Sequence, residues 1–329
     1  MTQWNPEPGD PNQYQPYQQY PPPPPIEGYT VAPQVQMPMV DPLISADFGG
    51  WWNKGISIVK RGWKPLVALQ AVGLVFALLL EAPVAAYAAL VSRDLNQDLA
   101  NTTSTTTPDL GPLLGVLGVG LGAVLLSVLV AAVVTLATVH IGVSVAVGAQ
   151  PRIGDAISLA VRRIFPLIGW QLLAIPIYLA GVCLCFFPVF YVASVFLVLP
   201  VVVAVERTNA ISRSFSLFHR DIGASVSRAA TILGITIASG VVGGLIGSGI
   251  EAVVRSSAPG NAGFIAGAVA SSVMSGVIGA AVAVFVAPLT LAAYADLRAR
   301  REPTHGLMIA QELGITPEMI THPTGYAMP

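Results

Sequence analysis

The sequence predicts an all-α integral membrane protein with six transmembrane helices arranged as three hairpins. Hydrophobic residues make up 54% of the chain and charged residues only 10%, whereas soluble domains carry about 25% charged residues. Six apolar runs are long enough to cross ~30 Å of hydrocarbon, which takes about 20 helical residues. A short motif recurs beside these runs and predicts that each hairpin is preceded by a cytoplasmic interfacial amphipathic helix.

The first 44 residues differ in composition from the rest of the chain. Twelve of the 27 prolines fall here, interleaved with Gln and Tyr, and such a composition cannot form an apolar core. We therefore predict a disordered, partly polyproline II cytoplasmic tail, which is either a docking segment or a simple tether. No apolar run follows Met1, so we expect no signal peptide, and the first membrane helix should serve as the insertion signal.

Residues 45–302 are predicted to form the membrane domain, and residues 303–329 a cytoplasmic C-terminal tail. The second apolar run continues to Ala149, which indicates one helix that projects from the membrane or bends. A Thr-rich loop at residues 101–108 should face outward, and a tight turn around Phe187-Pro188 should join the third and fourth spans. The predicted spans are residues 66–91, 113–141, 165–183, 187–205, 224–250 and 264–291.

The repeated motif reads Asp-Ala-Ile-Ser at residues 155–158 and Asn-Ala-Ile-Ser at residues 209–212, and a weaker third copy begins at Ile56. In the two stronger copies, apolar residues recur at i, i+4 and i+7, with arginines around the polar side. This spacing is typical of a helix that lies at the level of lipid headgroups.

The basic residues predict the orientation of the chain. Fourteen lie on one side of the predicted spans and only Arg93 and Arg255 on the other, so both termini should be cytoplasmic and the protein a multi-pass component of the plasma (inner) membrane. Because the basic residues are dispersed, we expect no nucleic-acid partner. Anionic lipid headgroups on the cytoplasmic face are the predicted partners. The candidate headgroup contacts are Lys60, Arg61, Arg162, Arg163, Arg213, Arg220, Arg298, Arg300 and Arg301.

No catalytic residue, cofactor site or metal site is predicted. His140 and Ser144 stand at i and i+4, but no third catalytic group can be named, and a histidine near a helix end is the favoured interpretation. Polar groups inside apolar spans are better candidates, because they are costly in hydrocarbon; they are Glu81, His140 and Gln171, with Glu206 at the end of the fourth span. Glycine pairs four residues apart indicate helix packing within the chain, with homo-oligomerisation as the alternative.

Two segments resemble a known family. They are Leu-Pro-Val-Val-Val-Ala-Val-Glu at residues 199–206, continued by Ala-Ile-x-Arg-Ser at residues 210–214, and Tyr-x-Asp-Leu-Arg-x-Arg-Arg-Glu at residues 294–302. The chain from about residue 46 to residue 302 resembles bacterial, mainly actinobacterial, six-helix proteins related to the membrane domain of glycerophosphoryl diester phosphodiesterases. The Pro-rich head is similar to those of mycobacterial proline- and glycine-rich transmembrane proteins. The resemblance implies an all-helical membrane module; phosphodiesterase activity does not carry over, because the catalytic barrel is absent.

These observations favour a non-enzymatic scaffold of the cell envelope that organises lipids, membrane protein partners or further copies of itself. The alternative is a transporter or channel that uses the internal repeat and the intramembrane carboxylate of Glu81. The repeats enter from the same side and are therefore parallel, whereas the inverted repeats of many transporters enter from opposite sides.

Overall fold

The computed structural model describes residues 41–100, 111–184, 187–258 and 260–316, all of which belong to one compact unit. Within those ranges the secondary structure is helical, without a β-strand. Six helical segments there are long and apolar enough to cross a membrane, which confirms the predicted class of all-helical, multi-pass membrane protein. The expectations for residues 1–40, for the Thr-rich loop and for residues 317–329 concern positions outside the described ranges.

Nine helices lie within these ranges. Five of the candidate spans are single helices, the fourth span is made of α4 and α5, and α6 and α9 are short helices outside the spans. The helices are α1 (Phe48–Ala100), α2 (Gly111–Val147), α3 (Ile153–Cys183), α4 (Phe187–Phe196), α5 (Leu199–Val205), α6 (Ala210–Arg220), α7 (Ile222–Ser257), α8 (Asn261–Ala299) and α9 (Gly306–Glu312).

Helix α1 contains both the first predicted interfacial helix and the first span. Its backbone leaves helical geometry at Gly62, with φ −106° and ψ 15°. Pro65 follows three residues later and has no N–H to donate to the carbonyl of Arg61, which weakens the helix at this point. Gly62 also allows a close approach to α2, because a Cβ there would lie 2.8 Å from Val145 Cγ2. The predicted boundary is therefore a kink within one helix.

The first strong copy of the motif is the start of α3. This helix runs without a break from Ile153 to Cys183, through Pro166 and Pro176. At 1.5 Å per residue, its 31 residues extend over about 46 Å, so it is longer than the hydrocarbon layer. The sequence predicted a separate surface helix before the third span, whereas the structure joins the two.

The second strong copy is a separate helix, α6. Asn209 begins it, since the Asn209 side chain accepts a hydrogen bond from Ser212 N at 3.0 Å. Asp221 ends it and also caps α7, accepting from Ala224 N at 3.0 Å. Asx side chains commonly supply such caps. The two copies differ here, because Asn209 caps α6 whereas Asp155 lies inside the first turn of α3, whose N-cap is Arg152 without a side-chain hydrogen bond.

The apolar side of α6 packs against α4 within the protein. Phe215 meets Phe196 with ring centroids 5.6 Å apart, and Phe218 meets Tyr191 at 5.8 Å. Leu217 is fully buried. The amphipathic pattern of α6 is therefore satisfied by protein, whereas lipid was the expected neighbour; an apolar helix face has the same sequence period in both cases.

The fourth span is broken, which the sequence analysis did not predict. Helix α4 ends at Phe196 and α5 begins at Leu199. Pro200 is the cause, because its ring would clash with the carbonyl of Phe196 in a continuous helix and its nitrogen has no proton to donate there. The predicted short connection between the third and fourth spans lies between Cys183 and Phe187, slightly before the expected position, since Phe187 and Pro188 already belong to the first turn of α4.

Neighbouring helices pack in a layered order. Helix α1 lies between α2 and α8, α7 packs on the other side of α8, and α3 packs on the other side of α2. Helices α4, α5 and α6 pack against one another in sequence, and α4 and α6 also contact α7.

The buried core lies at one end of the helices. It takes in the last turns of α2 and α8, the first turns of α1 and the whole of α5. All the interhelical ion pairs of the described residues lie at the same end, which is therefore called the ionic end. Toward the opposite end, large apolar side chains such as Leu79, Leu125 and Leu245 are more than half exposed, as expected of surfaces that face lipid.

The folded domain extends beyond both predicted boundaries. Leu43, assigned to the disordered head, is fully buried, and Ser45 N donates to Asp296 Oδ1 at 2.6 Å. At the other end, α9 packs on α2, with Ile309 fully buried and Ile315 almost so. These short segments have too few residues for a periodic signal, so composition assigned them to the tails.

Candidate functional site

A cavity of about 540 Å³ opens between the ends of α5, α6, α8 and α9 at the ionic end. Six of its eight lining residues are charged, three of them positively and three negatively. The residues are Val205, Glu206, Arg207, Thr208, Arg213, Arg298, Glu302 and Glu312.

Glu206 lies on one wall of this cavity. It follows the last turn of α5, and its backbone N–H bonds to Val202 O. One carboxylate oxygen lies 2.7 Å from Arg213 Nε, and the other accepts a hydrogen bond from the Tyr294 hydroxyl at 2.7 Å. Arg213 also reaches Glu302, with Nη2 at 2.6 Å from Oε1. Glu206 therefore joins the ends of α5, α6 and α8.

Arg298 lies on the opposite wall. Its two terminal nitrogens donate to the two carboxylate oxygens of Glu312 at 2.5 and 2.7 Å, a bidentate pair that ties α9 to α8. Its Nε donates to Glu302 at 2.6 Å, and Nη1 also donates to the Tyr294 hydroxyl at 3.1 Å. Bidentate Arg–carboxylate pairs are the most directional ion pairs in proteins. Glu302 is shared by Arg213 and Arg298 and so connects the two walls.

A second ion pair is fully enclosed behind this cavity. Asp296 Oδ2 accepts from Arg228 Nη2 at 2.8 Å and from Nε at 3.2 Å, and the two side chains are 0% and 3% exposed. Arg228 lies over the ring of Trp51, with Cζ 5.7 Å from the centroid. The backbone N–H of Ser45, in the segment before α1, donates a hydrogen bond to the other oxygen of the Asp296 carboxylate. This pair therefore links α1, α7 and α8.

The end of α8 serves both ionic groups because of its residue spacing. Successive residues of a helix are rotated by 100° about its axis. Tyr294, Arg298 and Glu302 therefore lie on one side of the α8 axis and its continuation. Asp296 and Arg300 lie on roughly the opposite side. The first stripe contacts α6 and α9; the second contacts α7 and the segment before α1, where Arg300 Nη2 donates to Ala46 O at 2.7 Å. The motif at residues 294–302, which carries part of the family resemblance, therefore binds neighbouring elements on two sides of α8.

The predicted intramembrane polar residues do not meet in one site. Glu81 is exposed and accepts a hydrogen bond from Ser127 of α2 at 3.2 Å, and Gln171 is exposed on α3. His140 is buried, but Ser144 Oγ donates to its backbone oxygen at 2.9 Å, so this hydroxyl does not contact the imidazole. Of the four, only Glu206 lines the cavity.

The predicted headgroup contacts fall into three groups. Arg213, Arg298 and Arg300 are engaged by carboxylates of the protein, Arg300 by Asp221 at 2.5 Å. Lys60 and Arg162 are exposed. The others bond to backbone oxygens: Arg61 to Ser57, Arg163 to Glu206, Arg220 to Arg300 and Arg301 to Ser216.

Tyr294, Asp296, Glu302, Glu312 and Arg228 were not predicted as site residues. The spacing of 294, 298 and 302 was a usable signal, since charged residues four apart on a buried helix end need partners. The partners themselves lie up to 89 residues away in sequence, and periodicity carries no information about them. No group of His, Cys, Asp and Glu side chains suited to a metal ion occurs in the ranges that the structure describes.

The carboxyls of the ionic end predict a loss of stability in acid. Burial alone would raise the pKa of Glu302, but hydrogen bonds and charges from Arg298 and Arg213 outweigh it and lower that pKa. The Ala224 N–H, followed by Arg300, lowers the pKa of Asp221. A carboxyl whose pKa is lower in the folded state stabilises the fold above its unfolded pKa, near 4, and this stabilisation is lost as the pH falls through the folded value.

We therefore expect the thermal midpoint in detergent to fall as the pH decreases below about 4. Glu302→Gln should lower the midpoint at pH 7 and flatten its acid dependence. An equally steep acid response in this variant would contradict the role given to Glu302.

Comparison with known proteins identifies no relative of this chain: no protein-family model, no curated protein and no solved structure matches it.

Proposed function

We propose that the protein is a non-enzymatic membrane scaffold of the cell envelope, which organises lipids and partner proteins. The observation that carries this proposal is the network of contacts that holds the ionic end together. Ion pairs and hydrogen bonds tie the segment before α1 and the helices α5, α6, α7, α8 and α9 to one another. Such an end suits a fixed platform on which other molecules assemble.

The free-energy cost of separating the buried Arg228–Asp296 pair favours an ionic end that does not move. Separating Arg228 from Asp296 would leave two buried charges without partners, and breaking such a pair typically costs about 3–5 kcal/mol. A carrier that alternates its access would have to move helices against one another at each end in turn. Movement at the ionic end would break these contacts in every cycle.

The proposed topology places the ionic end and both termini in the cytoplasm of a bacterial cell, with the spans as three hairpins in the plasma (inner) membrane. Support comes from the basic residues, because the fourteen on this side outnumber Arg93 and Arg255. The family resemblance of residues 199–214 and 294–302 also supports it. Lys60 and Arg162, which are exposed, are the proposed contacts for anionic headgroups, at about 1 kcal/mol each.

A second candidate function, transport, is favoured by two observations. The fourth span is interrupted between Phe196 and Leu199, as transporter helices often are near a binding site. Glu81 lies exposed in the apolar part of α1, with Ser127 as a hydrogen-bond donor. In a carrier this carboxyl would bind and release a proton or a cation, whereas in a scaffold it would only hold α1 against α2.

Glu81→Gln separates the two functions, because glutamine keeps the hydrogen-bond acceptor for Ser127 but cannot ionise. Under the scaffold proposal we expect Glu81→Gln to rescue the phenotype of a deletion strain as well as the unchanged protein does. Ser127→Ala is the complementary control, since it removes the hydrogen bond between Ser127 and Glu81 and leaves the ionisable carboxyl. If Glu81→Gln fails to rescue at normal abundance and thermal stability while Ser127→Ala succeeds, the scaffold proposal is wrong and transport is supported.

A further inference from the structure

Two arginines meet at the end of the molecule opposite the ionic end. Arg93 of α1 and Arg255 of α7 are 162 positions apart in the sequence, yet both lie over the ring of Phe264 in α8. Their Cζ atoms are 5.3 and 4.5 Å from the ring centroid. Because both distances share one centroid, the two guanidinium carbons are at most about 10 Å apart. Arg93 and Arg255 are also the two basic residues that lie on the opposite side of the predicted spans from the other fourteen.

Both arginines lie at the expected level of the lipid headgroups. Arg93 follows Lys64 by 29 residues of α1, which is about 43 Å along a helix. Arg255 follows Arg228 by 27 residues of α7, or about 40 Å. A bilayer with its headgroup regions is about 40–45 Å thick. The two guanidinium groups therefore reach the second surface of a membrane whose first surface is at the ionic end.

The packing of α7 on α8 holds Arg255 in place. Gly267 leaves room for its stem, since a Cβ at position 267 would lie 3.2 Å from Arg255 Cγ. The Arg255 Nε–H is buried and has no hydrogen-bond partner among the described residues, although Nη2 pairs with Glu251 of the preceding turn.

Arg93 has unused hydrogen-bonding capacity. Within the described part of the chain Arg93 makes no hydrogen bond or ion pair, and its guanidinium group contacts the ring of Phe264. A guanidinium carries five N–H donors in a planar fork that matches the oxygens of a phosphate. Glu251 pairs with Arg255 alone, and a partly exposed ion pair between residues four apart on one helix is weak.

We propose that Arg93, Arg255 and Phe264 form a binding site for the phosphate of a phospholipid headgroup in the leaflet opposite the ionic end. The phosphate oxygens accept hydrogen bonds from both guanidinium groups, and the phenyl ring keeps the two cations apart and oriented. The acyl chains of the lipid lie along the exposed apolar sides of α1 and α7. This site is independent of the scaffold role and of the proposed lipid contacts at the ionic end, because it uses none of their residues.

Native mass spectrometry of the full-length protein in mild detergent tests the proposal, with phosphatidylglycerol as the probe and diacylglycerol of the same chains as the phosphate-free control. Arg93→Gln with Arg255→Gln should weaken phosphatidylglycerol binding at least about fivefold, with diacylglycerol unaffected. Glu251→Gln should act in the opposite direction, because it frees Arg255 from its competing carboxylate. This second variant keeps the test decisive if the double variant folds poorly.

Two results would overturn the proposal. One is unchanged phosphatidylglycerol binding in both variants. The other is displacement of the bound lipid by 10 mM orthophosphate, which would make the site one for free anions. Lys60→Gln with Arg162→Gln reports separately on lipid at the ionic end, so a failure there concerns the proposed function and leaves this site untouched.

Discussion

Asp296→Ala should lower the free energy of unfolding by about 3–5 kcal/mol, because it leaves the buried guanidinium of Arg228 without its carboxylate. The remaining partners of Arg228 are the backbone oxygens of Ala224 and Asp47 and the ring of Trp51. None of these neutralises a full charge. Ser45 N would lose its acceptor as well, which removes one of the contacts that hold the segment before α1. Denaturant titration of the purified protein in mild detergent measures the loss.

Two further variants show whether the loss arises from the unpaired charge. Replacing both partners, with Arg228→Met and Asp296→Leu, should restore most of the stability, since apolar residues of similar volume often replace a buried ion pair without loss. Glu251→Ala is the matched control, because it removes a carboxylate from the exposed ion pair with Arg255 in α7 and should cost less than about 0.5 kcal/mol. Equal losses for Asp296→Ala and Glu251→Ala would contradict the enclosed character of the pair.

Trp51→Ala should also cost about 3–5 kcal/mol, the usual loss for a large aromatic side chain in a core. The Trp51 side chain is completely buried. It packs against Phe48 with centroids 5.1 Å apart, and its Nε1 donates to Leu289 O at 3.0 Å. Its ring also faces Arg228. The loss should appear as a lower thermal midpoint of the protein in detergent.

The neighbouring tryptophan supplies the control for this prediction. Trp52 is 36% exposed, so Trp52→Ala should cost clearly less than Trp51→Ala. Trp51→Phe keeps the packing of a ring but leaves Leu289 O without its donor, and should lie between the two, at about 1–3 kcal/mol. If Trp52→Ala proves the more damaging variant, the burial described for the start of α1 is wrong.

Hydropathy was sufficient to predict the six spans, because lipid leaves no water for backbone groups and only long apolar helices remain. The broken fourth span shows where this signal ends. Its residues are apolar throughout, so hydropathy cannot register the break between α4 and α5. Pro200 could have indicated it, since a proline within a helix removes one hydrogen bond and adds a clash, but Pro166 and Pro176 lie within a continuous α3. Neighbouring helices decide which prolines break a helix.

The candidate site was only partly predictable for a different reason. Arg213 and Arg298 have the same signature in the sequence as headgroup-binding arginines, namely a basic residue shortly after the end of a predicted span. Their carboxylate partners become neighbours only when α5, α6, α8 and α9 converge. Glu206 was identified because its own position, at the end of a span, is unusual for a carboxylate. Single positions can be assessed from sequence, whereas pairs distant along the chain cannot.

The contact between the two ends of the described chain places two attachment points side by side. Gly306 N donates to Asp41 Oδ2 at 2.7 Å, and Leu43 and Ile309 are both buried in the same core. The chain on the N-terminal side of Asp41 is therefore attached close to the chain at the start of α9. A partner with one weak site on each side of this contact would bind both together, and cutting the chain on either side would remove the resulting avidity.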